Sequence, residues 1–240
     1  MKVGVAPYDR LESAINVLEQ FRFELESRTL TVNPPYMSWS RARKNTIVPD
    51  DVGRSVKELY VFSTQRSGST LFSQILKKKF GAGNPREHFN HALRGDFGAR
   101  VELSEVWKKG FVNGWTAHKI MGSDLLNFSS LVTAEENALS ALSGLVEFIE
   151  KCPESHIFRV RRVNFLDQLL SSISAQKSGI YFGGKRGADV GDDAIDYDLL
   201  VNTWLRLKAT GLLLDSFMSM FAPEKFFEIV YEKDLITIDA

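Results

Sequence analysis

A short turn between an apolar run and a helix contains the residues of this chain that are best suited to binding an anion. It reads TQRSGST, residues 64–70. Small residues let a phosphate approach the free amides at a helix N-terminus, where the helix dipole also favours negative charge. Arg66 adds a planar guanidinium, and hydroxyl groups come from Ser67, Ser69 and Thr70. The turn predicts a phosphate site, against the plainer alternative of a Ser-rich helix cap with an exposed Arg.

The same turn lacks the parts of an ATP-type P-loop, whose pattern is G-x-x-x-x-G-K-[ST]. Ser63 stands at the place of the first Gly, and Ser69 follows Gly68 where the pattern requires Lys. No acidic residue is clearly placed to share a magnesium ion. The turn therefore predicts a phosphate cradle without metal-triphosphate apparatus, and a nucleotide or small-molecule kinase is an alternative interpretation.

The stretch TQRSGSTLF, followed by GNPREHF, resembles the first strand–loop–helix of PAPS-dependent sulfotransferases. It is most similar to the bacterial branch typified by trehalose sulfotransferase. PAPS is 3′-phosphoadenosine 5′-phosphosulfate, and the family transfers its sulfuryl group to an acceptor hydroxyl without a metal. The resemblance implies a P-loop-like parallel sheet flanked by helices, the sulfotransferase fold. It also implies nucleotide contacts from Gln65, Arg66, Ser67, Gly68, Ser69, Thr70 and Leu71.

A second stretch, FRVRRVNFLDQLLSS, resembles the family's Arg and Ser pair that clamps the 3′-phosphate of the nucleotide. Arg162 and Ser171 are the pair that the resemblance favours, with Arg161 or Ser172 as alternatives. Surface charge on an edge strand is the plainer interpretation of these arginines. Later in the chain, FEIVYEKDL is similar to the family's YEDL strand.

Glu87 is the expected general base, because it occupies the Glu position of the family's G-x-P-x-E-x-F motif. A helix-start Glu stabilised by the dipole is the plainer interpretation. His88 is the alternative base, since many eukaryotic sulfotransferases use a His. Lys119, in GWTAHKIM, is similar to a family Lys that would meet the sulfuryl group or the acceptor, or it is a surface Lys. Arg66 is expected on the sulfuryl side.

Composition narrows the function classes. Lys+Arg and Asp+Glu each number 30 in 240 residues, so the chain has no bulk charge for binding nucleic acid. One cysteine, Cys152, excludes an internal disulfide framework and a Cys-based zinc site, and the four His residues show no metal-ligand spacing. The first residues lack a signal-peptide pattern and no stretch approaches a membrane span, so we expect a cytoplasmic protein without a membrane partner.

The elements that must position these residues follow from hydrophobic periodicity. We expect strands at 59–63, 115–121, 157–161 and 226–231. We expect helices at 70–79, 98–109, 134–150, 164–177 and 198–221. Alternating strands and helices predict an α/β fold with a mostly parallel sheet, in which ligands bind beyond the C-terminal ends of the strands.

Finer expectations concern single residues. Thr133 and Glu136 have the spacing of a capping box for the helix at 134–150. His118, next to Lys119 in a strand, is expected to face the opposite side and to be packed. Cys152 is expected to be buried, and Trp204 to lie in the core.

Two segments fall outside this alternation. Residues 1–55 are expected to form an N-terminal helix (9–29) and a connector arm, suited to packing or to homodimerisation. Residues 56–240 are expected to form the sulfotransferase-like domain. Within that domain the Gly-rich stretch 179–197 is either an acceptor lid or a disordered loop.

The sequence thus predicts a metal-independent, in-line sulfuryl transfer from PAPS to a hydroxyl of a carbohydrate or another small polar metabolite, with a Glu base. A kinase-like P-loop enzyme is one alternative. A non-catalytic binder of a PAP-type nucleotide (adenosine 3′,5′-bisphosphate) is the other.

Overall fold

The computed structural model describes residues 57–89, 103–133, 135, 137–179 and 196–236. The expected N-terminal helix and arm (1–55) and nearly all of the expected lid (179–197) lie outside the described residues.

Five strands form one sheet in the described part of the chain. They are β1 (Lys57–Ser63), β2 (Phe111–Val112), β3 (Trp115–Met121), β4 (Glu154–Arg161) and β5 (Phe226–Val230). Their order across the sheet is β2-β3-β1-β4-β5. All neighbouring strands are parallel except β2, which pairs with β3 in the antiparallel direction. The predicted α/β class with a mostly parallel sheet is confirmed.

Six α-helices connect or follow these strands in the described residues. They are α1 (Ser69–Lys79), α2 (Leu103–Lys108), α3 (Leu125–Thr133), α4 (Ala138–Glu150), α5 (Phe165–Ser178) and α6 (Tyr197–Met218). Short 3-10 turns occupy Gly122–Asp124 and Pro223–Lys225, and a π-helical turn, Tyr231–Leu235, follows β5. None of the described helices is both long and apolar enough to cross a membrane.

The central strand β1 is buried on both faces, which is why it reads as a continuous apolar run. Tyr60 and Phe62 pack into the cluster covered by α3, α4 and α6. Leu59 and Val61 pack into the cluster covered by α1. Because side chains alternate along a strand, one short segment fills the core on both sides of the sheet. The loop after β1 therefore leads from the centre of the sheet directly into α1.

The predicted elements are recovered with corrected boundaries. The strand predicted at 115–121 is β3 with the same ends, and the helix predicted at 164–177 is α5. The helix predicted at 198–221 is α6, which ends at Met218. Two elements, α3 and β2, had no counterpart in the prediction. The run LLNFSSLVT of α3 follows β3 after one 3-10 turn, and Asp124 directly before it is a helix start signal that the prediction did not use.

The predicted capping box is wrong. Thr133 is the last residue of α3, where its hydroxyl accepts a hydrogen bond from the amide of Glu135 at 3.2 Å. The cap of α4 is Asn137, whose side chain accepts from two amides of the first turn. Glu136 lies outside the described residues. Two helices meet at this point, so a Thr that matched a start signal terminates the preceding helix.

Two expectations about burial have opposite outcomes. Cys152 is buried, as predicted. Trp204 is not a core residue, because it is 43% exposed on α6. The helix is apolar on more of its circumference than it buries, so composition overstated the burial of this side chain.

Candidate active site

The loop from β1 to α1 has the backbone of an anion-binding turn. Arg66 has a φ of +59° and Gly68 a φ of +90°, so two residues of the turn are left-handed. Successive turns of this kind direct backbone amides into one concavity. Ser67 is buried, and its hydroxyl donates to the carbonyl of Thr64 at 2.9 Å. Ser67 therefore stabilises the turn by a hydrogen bond within it, while Thr70 is exposed at the start of α1.

The N-terminus of α1 differs from those of the three other helices with characterised caps in the described chain. The side chains of Asn137, Asn164 and Asp196 accept amide hydrogen bonds at the starts of α4, α5 and α6. Gly68, the cap of α1, provides no such acceptor, and the first turn of α1 contains no acidic residue. Amide groups at a helix start require an acceptor. This turn fits an external anion such as the 5′-phosphate of a nucleotide.

Gly68 is required by close packing as well as by its φ. A Cβ placed on Gly68 would lie 2.2 Å from Cδ2 of Tyr231, so the aromatic ring packs directly on the loop. Tyr231 belongs to the π-helical turn that follows β5. The turn that follows β5 therefore packs against the loop that follows β1.

Helix α5 holds the loop from a second side. Gln168 is buried, and its amide nitrogen donates to Oγ1 of Thr64 at 2.8 Å and to the carbonyl of Gln65 at 2.6 Å. One turn further along α5, the hydroxyl of Ser171 accepts from Nε of Arg66 at 2.8 Å. The structure thus brings the predicted residues Arg66 and Ser171 together, and the backbone of Gln65 is part of the same contact.

Arg162 is held beside this assembly by three groups. Its guanidinium carbon lies 4.9 Å from the ring centroid of Tyr231. Nη2 lies 3.3 Å from Oδ2 of Asp167, and Nε lies 3.4 Å from Oε1 of Glu232. Since Tyr231 also packs on Gly68, Arg162 and the loop share one neighbour. The direct contact of Ser171 is with Arg66.

The alternative residues, Arg161 and Ser172, have different environments. Arg161 forms an ion pair with Glu228 of β5 at 3.3 Å, with both side chains more than 40% exposed. Ser172 is buried, and its hydroxyl has no hydrogen-bond partner in the described part of the chain.

Glu87 and Lys119 form an ion pair on the α1 side of the sheet. Nζ of Lys119 lies 2.7 Å from Oε1 of Glu87 and donates to Oγ1 of Thr70 at 3.3 Å. The side chain of Lys119 is 6% exposed and that of Glu87 is 21% exposed. The backbone before Glu87 runs along β3, where the amide of Lys119 donates to the carbonyl of Arg86 at 3.0 Å. The predicted base and lysine therefore meet at the first turn of α1.

His88 has a different environment from Glu87. Its Nε2 lies 2.8 Å from the carbonyl oxygen of Asn84, so this nitrogen is the donor and carries the ring proton. Burial lowers the pKa of His88, and the Asn84 contact offsets this only in part. The ring packs against His118 at a centroid separation of 5.7 Å. His118 packs against Trp107 on the face of β3 opposite to Lys119, which confirms its predicted orientation.

Three side chains at the site were not assigned roles from sequence: Gln168, Tyr231 and Glu232. The carboxylate of Glu232 accepts hydrogen bonds from the amides of Val163 and Asn164 at 2.9 Å and 3.0 Å. Partial burial opposes ionisation of Glu232, but these amides more than offset it, so its pKa is lowered. Gln168 lies in FLDQLLSS, and Tyr231 and Glu232 lie in VYEKDL, two stretches that resemble family motifs. Their position in these stretches is the sequence signal that points to a role at the site.

The described residues thus combine a mostly parallel sheet, an uncapped loop with Arg66 and Gly68 after its central strand, and the Glu87–Lys119 pair beside the first turn of α1. The family model described as Stf0 sulphotransferase matches residues 59–194, more than half of the chain, so the chain belongs to this family. No curated protein matches the chain.

Proposed function

We propose that this protein transfers the sulfuryl group of PAPS to a hydroxyl of a carbohydrate or another small polar metabolite. The observation that carries the proposal is the meeting of two features at Thr70. One is the uncapped N-terminus of α1, and the other is the buried pair of Glu87 and Lys119. The family supports sulfuryl transfer in general. The donor, the acceptor class and the base are the content of the proposal.

The 5′ side of the nucleotide would bind at the loop. The amides of the first turn of α1 have no side-chain acceptor. The left-handed backbone at Arg66 and Gly68 would direct the N–H groups of the loop towards one bound anion. Arg66 in the loop and Thr70 in the first turn of α1 are both exposed. A phosphate bound there would meet several donors and a partial positive charge.

The 3′-phosphate would bind between Arg162 and Ser171. Both residues are in contact with groups that fix the loop: Arg162 stacks on Tyr231, and Ser171 bonds to Arg66. The 5′ and 3′ sites would therefore be held at a constant separation. Recognition of the 3′-phosphate would distinguish PAPS and PAP from AMP and ATP.

When bound, the nucleotide supplies an activated sulfuryl group. Glu87 would take the proton of the acceptor hydroxyl, because a carboxylate is the form that can accept it. Lys119, which lies between Glu87 and Thr70, would place a positive charge next to the sulfuryl oxygens, and Arg66 would stabilise negative charge on the leaving phosphate. His88 is a poorer candidate in this geometry, since its ring packs against His118, which lies on the face of β3 opposite to Lys119.

Calorimetric titration with PAP in EDTA, compared with ATP plus magnesium, tests the donor. We expect binding of PAP without metal and at least about tenfold weaker binding of ATP, because ATP lacks the 3′-phosphate. Arg162→Gln should weaken PAP binding but not AMP binding. Arg161→Gln is the matched control, since Arg161 pairs with Glu228 at the surface. Tighter binding of ATP with magnesium than of PAP would reject the proposal in favour of a kinase.

An acceptor screen tests the reaction itself. The protein is incubated with PAPS and a panel of mono- and disaccharides and polyols, and mass spectrometry searches for products heavier by one sulfuryl group. Release of PAP with formation of a sulfated product is expected for at least one acceptor. Binding of PAP with hydrolysis of PAPS alone, across sugars and polyols, would leave nucleotide binding but contradict the acceptor class.

A further inference from the structure

Glu232 joins the turn after β5 to the turn between β4 and α5. Its two carboxylate oxygens accept from the amides of Val163 and Asn164, which lie 69 and 68 residues earlier in the chain. The neighbouring Asp234 accepts from the amide of Val230 at 2.7 Å and so fixes the turn from which Glu232 projects. The backbone of Glu232 is thus fixed in the turn after β5, and its carboxylate is fixed by the amides of Val163 and Asn164.

The same carboxylate also approaches Arg162. Nε of Arg162 lies 3.4 Å from Oε1 of Glu232, while Nη2 contacts Asp167 and the guanidinium face lies on Tyr231. Nη2 donates the hydrogen bond to Asp167, whereas Nε is buried without a hydrogen-bond partner in the described part of the chain. The contact between Arg162 and Glu232 is therefore an attraction between opposite charges. The orientation of Arg162 is therefore set by groups from two different segments of the chain.

Capping alone does not account for this arrangement. A carboxylate that only satisfied two amides would need no contact with Arg162, and Asn164 already supplies the side-chain cap of α5. Tyr231, the residue before Glu232, packs on both Gly68 and Arg162. The turn after β5 therefore touches the proposed 5′ site through Tyr231 and the proposed 3′ site through Glu232.

We propose that Glu232 is a positioning residue for the nucleotide site. It fixes the turn at residues 162–164 and the guanidinium of Arg162, so that the 3′-phosphate of the nucleotide is recognised selectively. This inference rests on the proposed function. It assigns to Glu232 a role through Arg162 and no contact with the substrate.

Calorimetry on Glu232→Gln with PAP and with AMP tests the inference. An amide of the same shape cannot accept both amide hydrogen bonds or pair with a guanidinium. We expect the preference for PAP over AMP to fall by about tenfold, with AMP binding changed by less than about twofold. Glu228→Gln is the matched control, because Glu228 is an acid of β5 whose partner is the surface residue Arg161. It should leave the preference unchanged.

A double-mutant cycle separates positioning from general stability. If Glu232 acts through Arg162, Glu232→Gln should have no further effect on the preference in an Arg162→Gln background. Should Glu232→Gln not fold, Glu232→Asp serves instead, since it keeps the charge but withdraws the carboxylate by one methylene. The same selective loss is expected.

The outcomes distinguish the two proposals. A wild-type preference for PAP that Glu232→Gln leaves intact overturns the positioning role alone. Tighter PAP binding by Glu232→Gln also overturns it, because the carboxylate would then compete with the phosphate. A wild-type protein that does not distinguish PAP from AMP overturns the proposed function together with the inference.

Discussion

Lys119 and Glu87 form a largely buried ion pair, with 2.7 Å between Nζ and Oε1, at the first turn of α1. A buried ion pair is weak evidence for stability, because desolvation of both groups offsets their attraction. A pair of this kind beside a helix start that has no side-chain cap is placed to act on a bound anion. The position of this pair therefore supports chemistry more strongly than it supports folding.

Replacement of Glu87 should abolish transfer without abolishing binding. Glu87→Gln keeps the shape of the side chain but cannot accept a proton, so we expect kcat to fall by about 10²–10⁴-fold. The Kd for PAP should change by less than about threefold. Steady-state kinetics and calorimetry on the same sample measure both quantities. Glu105→Gln, at an exposed acid paired with Lys108 on α2, is the matched control.

A comparison with His88 decides between the two candidate bases. His88→Asn should retain activity within about tenfold, because its ring packs on His118, away from Lys119 and the first turn of α1. Full activity of Glu87→Gln together with an inactive His88→Asn would reverse the assignment.

Substitution of Gly68 should cost more than its φ alone explains. Gly68 and Gly114 both have positive φ, +90° and +79°, but a Cβ would meet Tyr231 only at Gly68 and would meet nothing within 4 Å at Gly114. Gly114→Ala therefore measures the backbone penalty, about 1 kcal/mol. We expect Gly68→Ala to lower the free energy of unfolding by at least about twice as much and to abolish PAP binding. Urea denaturation of both variants makes the comparison, and equal losses would contradict close packing by Tyr231.

Local patterns were sufficient to predict the four parallel strands of the described sheet and the loop between β1 and α1, but not the two-residue strand β2. The strands and the loop from Gln65 to Leu71 are specified by contiguous apolar runs and by small residues before a helix. The contacts of Gln168 with Thr64 and of Glu232 with Val163 join positions 104 and 69 residues apart, and no local pattern encodes them. The bond between Arg66 and Ser171 joins positions 105 residues apart in the same way, and motif spacing does not specify it.

His118 should make the stability fall in mild acid. Its ring lies against His88, Phe89 and Trp107, neither ring nitrogen has a hydrogen-bond partner in the described part of the chain, and burial lowers its pKa well below 6.5. Below pH 6.5 the unfolded chain therefore binds a proton that the folded protein does not. The free energy of unfolding should fall by up to about 1.4 kcal/mol per pH unit as the pH decreases through this range.

Urea denaturation between pH 8 and pH 5 measures this dependence. In His118→Leu the slope below pH 6.5 should become smaller, whatever the change in absolute stability. Phe128→Leu, which removes volume from the same core cluster but titrates nothing, should keep the wild-type slope. Identical slopes in wild type and His118→Leu would show that His118 is not the origin.

Gln168 should matter for nucleotide binding although it is not expected to touch the nucleotide. Its buried amide holds Thr64 and Gln65, so Gln168→Leu leaves the hydroxyl of Thr64 and the carbonyl of Gln65 without that donor. We expect the Kd for PAP to rise by at least about tenfold, because the loop would no longer be held in a fixed position against α5.

Gln176→Leu is the matched control for this prediction. Gln176 lies on the same helix and donates to Ser172 and Thr203, far along α5 from the loop. Both variants lose two side-chain amide hydrogen bonds that are buried or partly buried, so both should be destabilised, by about 1–3 kcal/mol. Only Gln168→Leu should weaken PAP binding. If the two variants bind PAP equally well, α5 does not position the loop, and the coupling between the two phosphate sites must be sought at Tyr231 alone.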